Sequence, residues 1–274
     1  MLTWNDYPTG DHRAQCPVCQ RRDKSLGISV FSHEHAVAHC FRCGYIETRQ
    51  PQRELTPAER EAYKRRMDAL RQQHDAETAQ RHAEAASEAV ARWNAATPAT
   101  EHPYLSRKAV KAHGLKVEGS ILLIPLRDST GKLHSLQTIF ADGTKRFLFG
   151  GRVKGCYHGI GKPQGRLIVC EGYATGATIH ADTRDAVAVA FNASNLLPVA
   201  QALRAKYPGA ELVIAADDDW MTEGNPGMTA AKKAAQELGA LLAIPDFTGL
   251  DRGPKDTDFN DVARLALTAQ EVHA

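Results

Sequence analysis

Two groups of carboxylates follow apolar runs in this 274-residue chain. Glu171-Gly172 comes directly after Leu167-Ile168-Val169-Cys170, and Asp217-Asp218-Asp219 comes after Leu212-Val213-Ile214-Ala215-Ala216. Short apolar runs of this kind read as buried strands. A parallel sheet collects the carboxyl ends of its strands on one edge, and ligands bind there, so acids distant in sequence can converge. Unpaired carboxylates repel one another, and such a group is stable only around a cation. Oxygen-only ligands favour Mg²⁺ or Mn²⁺. The pattern points to a metal-dependent enzyme acting on phosphates. Side-chain alternation puts Asp217 and Asp219 on one face of an extended segment and Asp218 on the other. A third piece, Asp256-Thr257-Asp258-Phe259-Asn260-Asp261, offers further ligands near a helix start. N-capping competes for Asp258 and Asp261, because Asp and Asn are common at that position.

Four of the six cysteines form two CxxC pairs, Cys16/Cys19 and Cys40/Cys43, separated by 20 residues. Four thiolates at this spacing fit one tetrahedral Zn²⁺. Such a site leaves no open position to activate water, so the expected role is structural. Pro17 shapes the first turn and Gly44 follows the second, while Gly27 to Phe31 and Ala36 to Phe41 alternate as a β-hairpin would. His39 is a spare ligand beside a set already full. Arg13, Arg21, Arg22, Lys24 and Arg42 lie around the ribbon, where they either touch nucleic acid or are simply solvated. Cys156 and Cys170 stand singly and read as core residues.

The elements that must position these groups divide the chain into residues 1–50, a zinc-binding ribbon; 51–98, a helical linker; 99–165, a basic subdomain; and 166–274, an α/β domain. Thr56-Pro57-Ala58-Glu59 reads as an N-cap followed by proline in the first helical turn. The segment 54–96 has mostly alanine at its apolar positions, which predicts a long, largely exposed helix. Residues 120–149 predict an antiparallel meander with strands at Ile121–Leu126, Leu133–Phe140 and Arg146–Phe149. From Arg166 onward strands are expected at 167–170, 186–190, 211–216 and 240–244, with helices near 174–182, 196–206, 227–239 and 260–270. That alternation predicts parallel pairing through crossover helices.

The net charge of +2 hides a split. Residues 101–165 carry 11 Lys and Arg against 4 Asp and Glu, a net of +7, while residues 166–274 carry 9 against 15, a net of −6. A basic segment beside an acidic one suits a polyanion held next to bound cations. The stretch TKRFLFGGRVKG supplies Lys145, Arg146, Arg152 and Lys154, with Gly150-Gly151 permitting close backbone approach. Arg107, Lys108 and Lys111 either join them or lie on a solvated helix. No apolar run reaches the roughly 18 residues needed to span a bilayer. The first residues lack the charged and apolar regions of a signal peptide, so a cytoplasmic protein is expected. No GxxxxGK[ST] sequence is present, so no P-loop motor is expected.

Three segments, LIVCEGYATGATI, LVIAADDDWMTEGNPGMTAAKKAA and DTDFNDVA, together resemble the Toprim domain shared by DnaG-type primases, topoisomerases and related nucleases. With a four-cysteine ribbon in front, the chain resembles bacterial, phage and plasmid primases, most of all those of phages and conjugative plasmids. The resemblance covers about residues 10–45 and 100–265. It implies an α/β architecture: an N-terminal zinc ribbon, a long linker helix, and an antiparallel β subdomain before a Toprim-like parallel-sheet domain. It assigns Glu171 as a catalytic acid that manages either proton transfer or the metal, Asp217 and Asp219 as Mg²⁺ or Mn²⁺ ligands, and Asp258 as an accessory acid on the same metal. Asn260 stands where many Toprim proteins carry a second acid, which transfers that ligand role to Asp261. The segment Asn225-Pro226-Gly227 and the longer loop from Trp220 to Gly224 depart from the DnaG pattern. The implied activity is template-directed synthesis of RNA primers on single-stranded DNA from NTPs, with structural Zn²⁺, catalytic Mg²⁺ or Mn²⁺, and a replicative helicase supplied by another chain. Two alternatives share parts of the pattern: a Toprim nuclease with the same acids, and a non-catalytic recombination-mediator-like DNA-binding protein that usually lacks them. A topoisomerase fits poorly, because the chain is short for strand passage and no tyrosine stands out.

Overall fold

The computed structural model describes residues 2–20, 24–50 and 56–272. Arg21 and Arg22, and the first residues of the predicted linker, lie outside these ranges. The chain divides into two compact units, residues 1–74 and 75–274.

The first unit holds an antiparallel sheet of β1 (Gly10–Ala14), β2 (Leu26–Ser32), β3 (His35–Cys40) and β4 (Ile46–Arg49), in that spatial order. The predicted hairpin is β2–β3. Its pairs Leu26–Cys40, Ile28–Ala38 and Val30–Ala36 stand opposite one another and are all buried. This alternation fixes the register, since a one-residue slip would expose the whole set. Helix α1 (Pro57–Ala95) follows, and the division between the units falls inside it.

In the second unit α1 is less exposed than expected. Ala85, Ala89 and Ala96 are buried, and Ala89 and Ala96 pack with Trp93 against Leu123, Leu133 and Leu136. The small alanine side chains let the helix approach a sheet face closely, so a weak hydrophobic stripe still makes a packed interface. Arg92 pairs with Glu118, and Lys116 donates to the Trp93 carbonyl at 2.7 Å. The sheet beneath runs β5 (Thr97–Pro98), β6 (Lys116–Glu118), β7 (Ile121–Arg127), β8 (Leu133–Ile139) and β9 (Lys145–Phe147), all antiparallel. A short helix, α2 (Pro103–Lys108), interrupts the chain before β6 and stops where Ala109 turns left-handed. Leu122, Ile124 and Ile139 face one core, while Leu123 and Leu136 face the helix α1.

The remaining elements are β10 (His158–Ile160), β11 (Arg166–Cys170), α3 (Tyr173–Thr183), β12 (Ala186–Val189), α4 (Leu196–Lys206), β13 (Glu211–Ala215), α5 (Pro226–Leu238), β14 (Leu241–Ala243) and α6 (Phe259–Val272). The sheet order is β10-β12-β11-β13-β14. β11 to β14 are parallel neighbours, and β10 adds an antiparallel edge that periodicity did not reveal because it is three residues long. The strands are apolar on both faces. Ile168, Cys170, Val187, Val189, Val213 and Ala215 pack with α3 and Phe259 of α6. Leu167, Val169, Ala186, Ala188, Leu212 and Ile214 pack with α4 and α5. Helices on both faces are what an all-parallel core requires. Gly176 lets α3 sit tightly, since a Cβ there would lie 2.9 Å from Val189 and 3.0 Å from the Cys170 sulfur.

Candidate active site and metal centre

The first crossover places β12 on one side of β11, and the second returns to place β13 on the other. This reversal is a topological switch point, where open α/β sheets bind ligands. Glu171 leaves the end of β11 and Asp217 follows two residues after the end of β13, so both sit at the switch point. Asp217 is pushed up to about 8, by burial first and then by Glu171, Asp258 and Asp219. Glu171 is raised by burial and by Asp219. Lys145 opposes both shifts, so its ammonium faces the same group. The Asp217 Oδ1 is buried and has no hydrogen-bond partner. An orphaned acceptor among like charges fits a cation and little else. The carboxylates do not close tightly: among the described residues, only the four cysteines bring ligand atoms of three or more residues within 4.8 Å of one another. That spread suits Mg²⁺, which is held by one or two carboxylates and completes its shell with water and substrate phosphate.

The loop after β13 is built to aim these acids. Asp218 points the opposite way from its neighbours, as alternation predicts. It pairs with Arg252 at 2.9 Å and accepts from Asn225 Nδ2 at 2.6 Å. Arg252 also donates to the Asp218 and Asp256 carbonyls and lies over the Phe247 ring. Asn225 caps α5 from a left-handed backbone, and its Oδ1 accepts from Asp219 N at 2.9 Å. Gly227 N then donates to Asp219 Oδ2 at 3.0 Å. A Cβ at Gly227 would lie 2.7 Å from the Asp217 carbonyl, so only glycine lets the helix approach this closely. The departure at Asn225-Pro226-Gly227 is thus the device that orients Asp219. A cap residue followed by proline at the first helical position is a recognisable helix-start signal, and it marks Asn225 in the sequence. Gly172 has an ordinary φ of −97° and caps α3, with a Cβ position 3.2 Å from the Thr175 hydroxyl.

Of the third acidic segment, one residue joins the group. Asp258 caps α6 by accepting from Asp261 N at 2.9 Å and from Thr175 Oγ1 at 2.9 Å, and it raises both Asp217 and Glu171. Asp261 is not brought in. Its carboxylate accepts from Thr257 N and pairs with Lys108 at 3.1 Å and Arg264 at 3.6 Å. Asn260 is buried and donates to the Lys108 carbonyl and Thr178, tying α6 to α2 and α3. The expected transfer of a ligand role from Asn260 to Asp261 therefore has no counterpart in the geometry: both side chains hold elements together.

The basic residues separate in the same way. Lys145 is the one whose charge acts on the acids; its ammonium also lies 5.5 Å from the Tyr104 ring. Arg146 lies on the other face of β9, over Phe140. Arg152 is drawn into a network with Asp128, which also binds His134 at 2.7 Å. Lys154 is exposed, with no ion-pair partner among the described residues. Lys108 is taken by Asp261. Gly150 and Gly151 approach protein, not open space: Gly150 receives His82, and a Cβ at Gly151 would collide with Ser135. Cys170 is buried with its thiol raised well above the ordinary range by burial and Asp217, which makes it a core residue and no nucleophile.

In the first unit the four cysteine donors Cys16, Cys19, Cys40 and Cys43 all lie within 4.8 Å of one another. The Cys16–Cys43 and Cys19–Cys40 sulfur separations are 3.6 and 3.9 Å. A tetrahedron with Zn–S bonds of about 2.3 Å has edges of about 3.8 Å, so the set fits Zn²⁺. Both knuckles close identically: Gln20 N bonds back to Cys16 O and Gly44 N to Cys40 O, each from a left-handed residue.

Residues 166–269 match the Toprim domain family. The chain is 38% identical over 188 residues to a DNA primase TraC of Escherichia coli, covering 63% of this chain and 18% of the relative. A second E. coli protein of that name is 38% identical over 178 residues, covering 60% of this chain and 12% of the relative. The chain thus spans less than a fifth of the length of these curated relatives. Among solved structures, the primase fragment of the bacteriophage T7 primase-helicase is similar at a TM-score of 0.45 and 14% identity, over 96% of this chain and 98% of that one. The DnaG primase catalytic domain bound to ssDNA is similar at a TM-score of 0.42 and 12% identity, over 71% and 78% of the two chains. Among the described residues no helix is long and apolar enough to cross a membrane.

Proposed function

We propose that this chain, whose residues 166–269 are a Toprim domain, is a DNA primase that joins nucleotides into short RNA primers on single-stranded DNA. The observation that carries the reading is Asp217: a half-buried carboxylate with one buried, partnerless oxygen, raised by desolvation and by three other acids at the switch point of the sheet. Similarity to the TraC primases over 188 and 178 residues supports the choice of polymerisation.

Glu171, Asp217 and Asp219 would hold Mg²⁺ or Mn²⁺, with Asp258 as the accessory acid. Bound there, the ion supplies charge neutralisation at the triphosphate and a lowered pKa for the attacking 3′-hydroxyl. Asp219 is held in place by Gly227 and Asn225, and Asp258 by Thr175. Asp218 takes no ligand role, because Arg252 and Asn225 occupy it. Lys145 binds phosphate once the acids are neutralised by metal. Lys154 and Arg146 extend the cationic surface for the template strand. Cys16, Cys19, Cys40 and Cys43 hold structural Zn²⁺. The partners are single-stranded DNA, NTPs and a helicase supplied by another chain.

Primer synthesis on defined single-stranded templates with labelled NTPs and Mg²⁺ tests the reading. Template-dependent RNA products are expected, and Asp217→Ala should abolish them. Nicking of plasmid DNA with metal and no NTPs would transfer the same acids to a nuclease.

A further inference from the structure

We propose that Phe147 and Phe191, flanked by Lys145 and Gln137, form a platform on which a nucleobase stacks beside the acidic site. The inference rests on the reading that phosphates bind at those acids, and it names what holds the other end of the nucleotide.

Four observations converge. Lys145 and Phe147 lie two apart on β9, so both face the same side, about 6.6 Å apart along the strand. Their cross-strand partners are Ile139 and Gln137, and Ile139 belongs to the core shared with the Toprim sheet, so the pair faces that sheet. The charge of Lys145 acts on the acids, and Phe147 stands one step along the strand from it.

Phe147 meets Phe191 edge to face, with ring centroids 6.0 Å apart at 78°. Phe191 has φ of +73°, a region that a bulky side chain rarely adopts, and such outliers cluster at ligand clamps and active sites. Its backbone is pinned there by a 2.8 Å hydrogen bond from Phe191 N to the carbonyl of Glu171 itself. The strained residue is thus tied directly to the catalytic acid.

Phe147 remains 37% exposed although Phe191 is buried, so one side of the pair is open. Phe149, in the turn that follows β9, is 90% exposed. An isolated exposed aromatic is ordinary on a protein surface. A cation and a ring side by side on one strand next to a group of acids suit a nucleic acid strand, with cations on phosphates and rings on bases. Gln137, directly across from Phe147, is only 6% exposed. An amide beside a stacking ring is suited to a base edge or a ribose hydroxyl.

The test replaces Phe147 with tryptophan in the full chain, as a fluorescent reporter read against the parent. With Mg²⁺ present, ATP should quench it and inorganic tripolyphosphate should not. An oligodeoxynucleotide should quench more than an abasic strand of equal length. Quenching by ATP identifies the incoming nucleotide as the occupant, and quenching by the oligonucleotide alone identifies the template. Equal responses to base-bearing and base-free probes overturn the proposal. Phe147→Ala should weaken binding of the base-bearing probe about tenfold or more while sparing tripolyphosphate, and Phe147→Tyr should restore it. Unchanged affinity in Phe147→Ala also overturns it. Base-dependent quenching in a chain that makes no primers would keep the platform and remove the primase reading. Primer synthesis with unaltered nucleotide KM in Phe147→Ala would do the reverse.

Discussion

The thiol cluster and the carboxylate group each gather four side chains, and they are built on opposite principles. The cysteines come from one short stretch, close to within 4.8 Å, and need nothing from the rest of the chain beyond two tight turns. The carboxylates come from three segments between Glu171 and Asp258, stay wider apart, and are aimed by other residues: Asn225 and Gly227 for Asp219, Thr175 for Asp258. A closed set saturates its metal and stabilises a fold. An open, mutually repelling set is stabilised only when cation and substrate arrive together, which is what chemistry on phosphates requires.

The difference can be broken most forcefully from the zinc side. Structural zinc sites contribute on the order of 10 kcal/mol or more to folding. Chelation, or Cys16→Ser with Cys40→Ser, should unfold the first unit and leave the second intact. Limited proteolysis should then cut before residue 57 while fragments from 75 onward survive. A ribbon that resists both treatments would mean that its small core of Leu26, Ile28 and Val30 is sufficient by itself. The matching change on the acid side is Asp217→Ala. It should lower primer synthesis by at least about a hundredfold, as loss of one charge-stabilising group does in other enzymes, with the melting temperature held or raised. Loss of folding instead of activity would make the acids structural, like the thiols.

How much of each site was legible follows from the same contrast. The cysteine set could be read from spacing, because its geometry is local. Glu171, Asp217 and Asp219 could be read from apolar runs ending in acids, because strand direction and crossover handedness bring such ends together. Asp258 and Asp261 look alike in sequence, three residues apart at one helix start, and the structure separates them by what each meets: Thr175 for the first, Lys108 and Arg264 for the second. No periodicity encodes that. The sequence reads Arg152 and Gly151 toward a nucleic-acid surface, and misses that Asp128 and Ser135 reach them once the meander has folded. The strands and helices from Arg166 onward were legible throughout, whereas β10 and the packing of α1 depend on tertiary contacts.

A smaller effect should come from the positioning loop. Gly227→Ala places a methyl group 2.7 Å from the Asp217 carbonyl and 2.9 Å from Asp219 Oδ2. The helix start must shift, at about 1–3 kcal/mol as overpacking does. Primer synthesis should fall about tenfold, with a higher metal requirement, and a Mg²⁺ titration of activity reads it out. An unchanged metal requirement would show that Asp219 is positioned without this contact.

The gentlest probe is pH, and it addresses the claim that the acids are strained without metal. Asp217 titrates near 8 in the folded chain, against an ordinary value of 3.8. Between those values the folded chain keeps a proton that the unfolded chain releases, so stability falls as pH rises. His158, lowered to about 4 by burial, gives the opposite slope below its ordinary value of 6.5, as does the lowered His113. Comparing the parent with Asp217→Asn cancels both histidines, because they are common to the two chains. In the absence of metal, the variant's advantage in unfolding free energy should grow by about 1 kcal/mol or more from pH 5 to pH 8. Adding Mg²⁺ should stabilise the parent at pH 8 and erase most of that gap. A difference that stays flat with pH, with or without the ion, would mean that Asp217 ionises at ease, and the acidic group would then be no more strained than the saturated thiols.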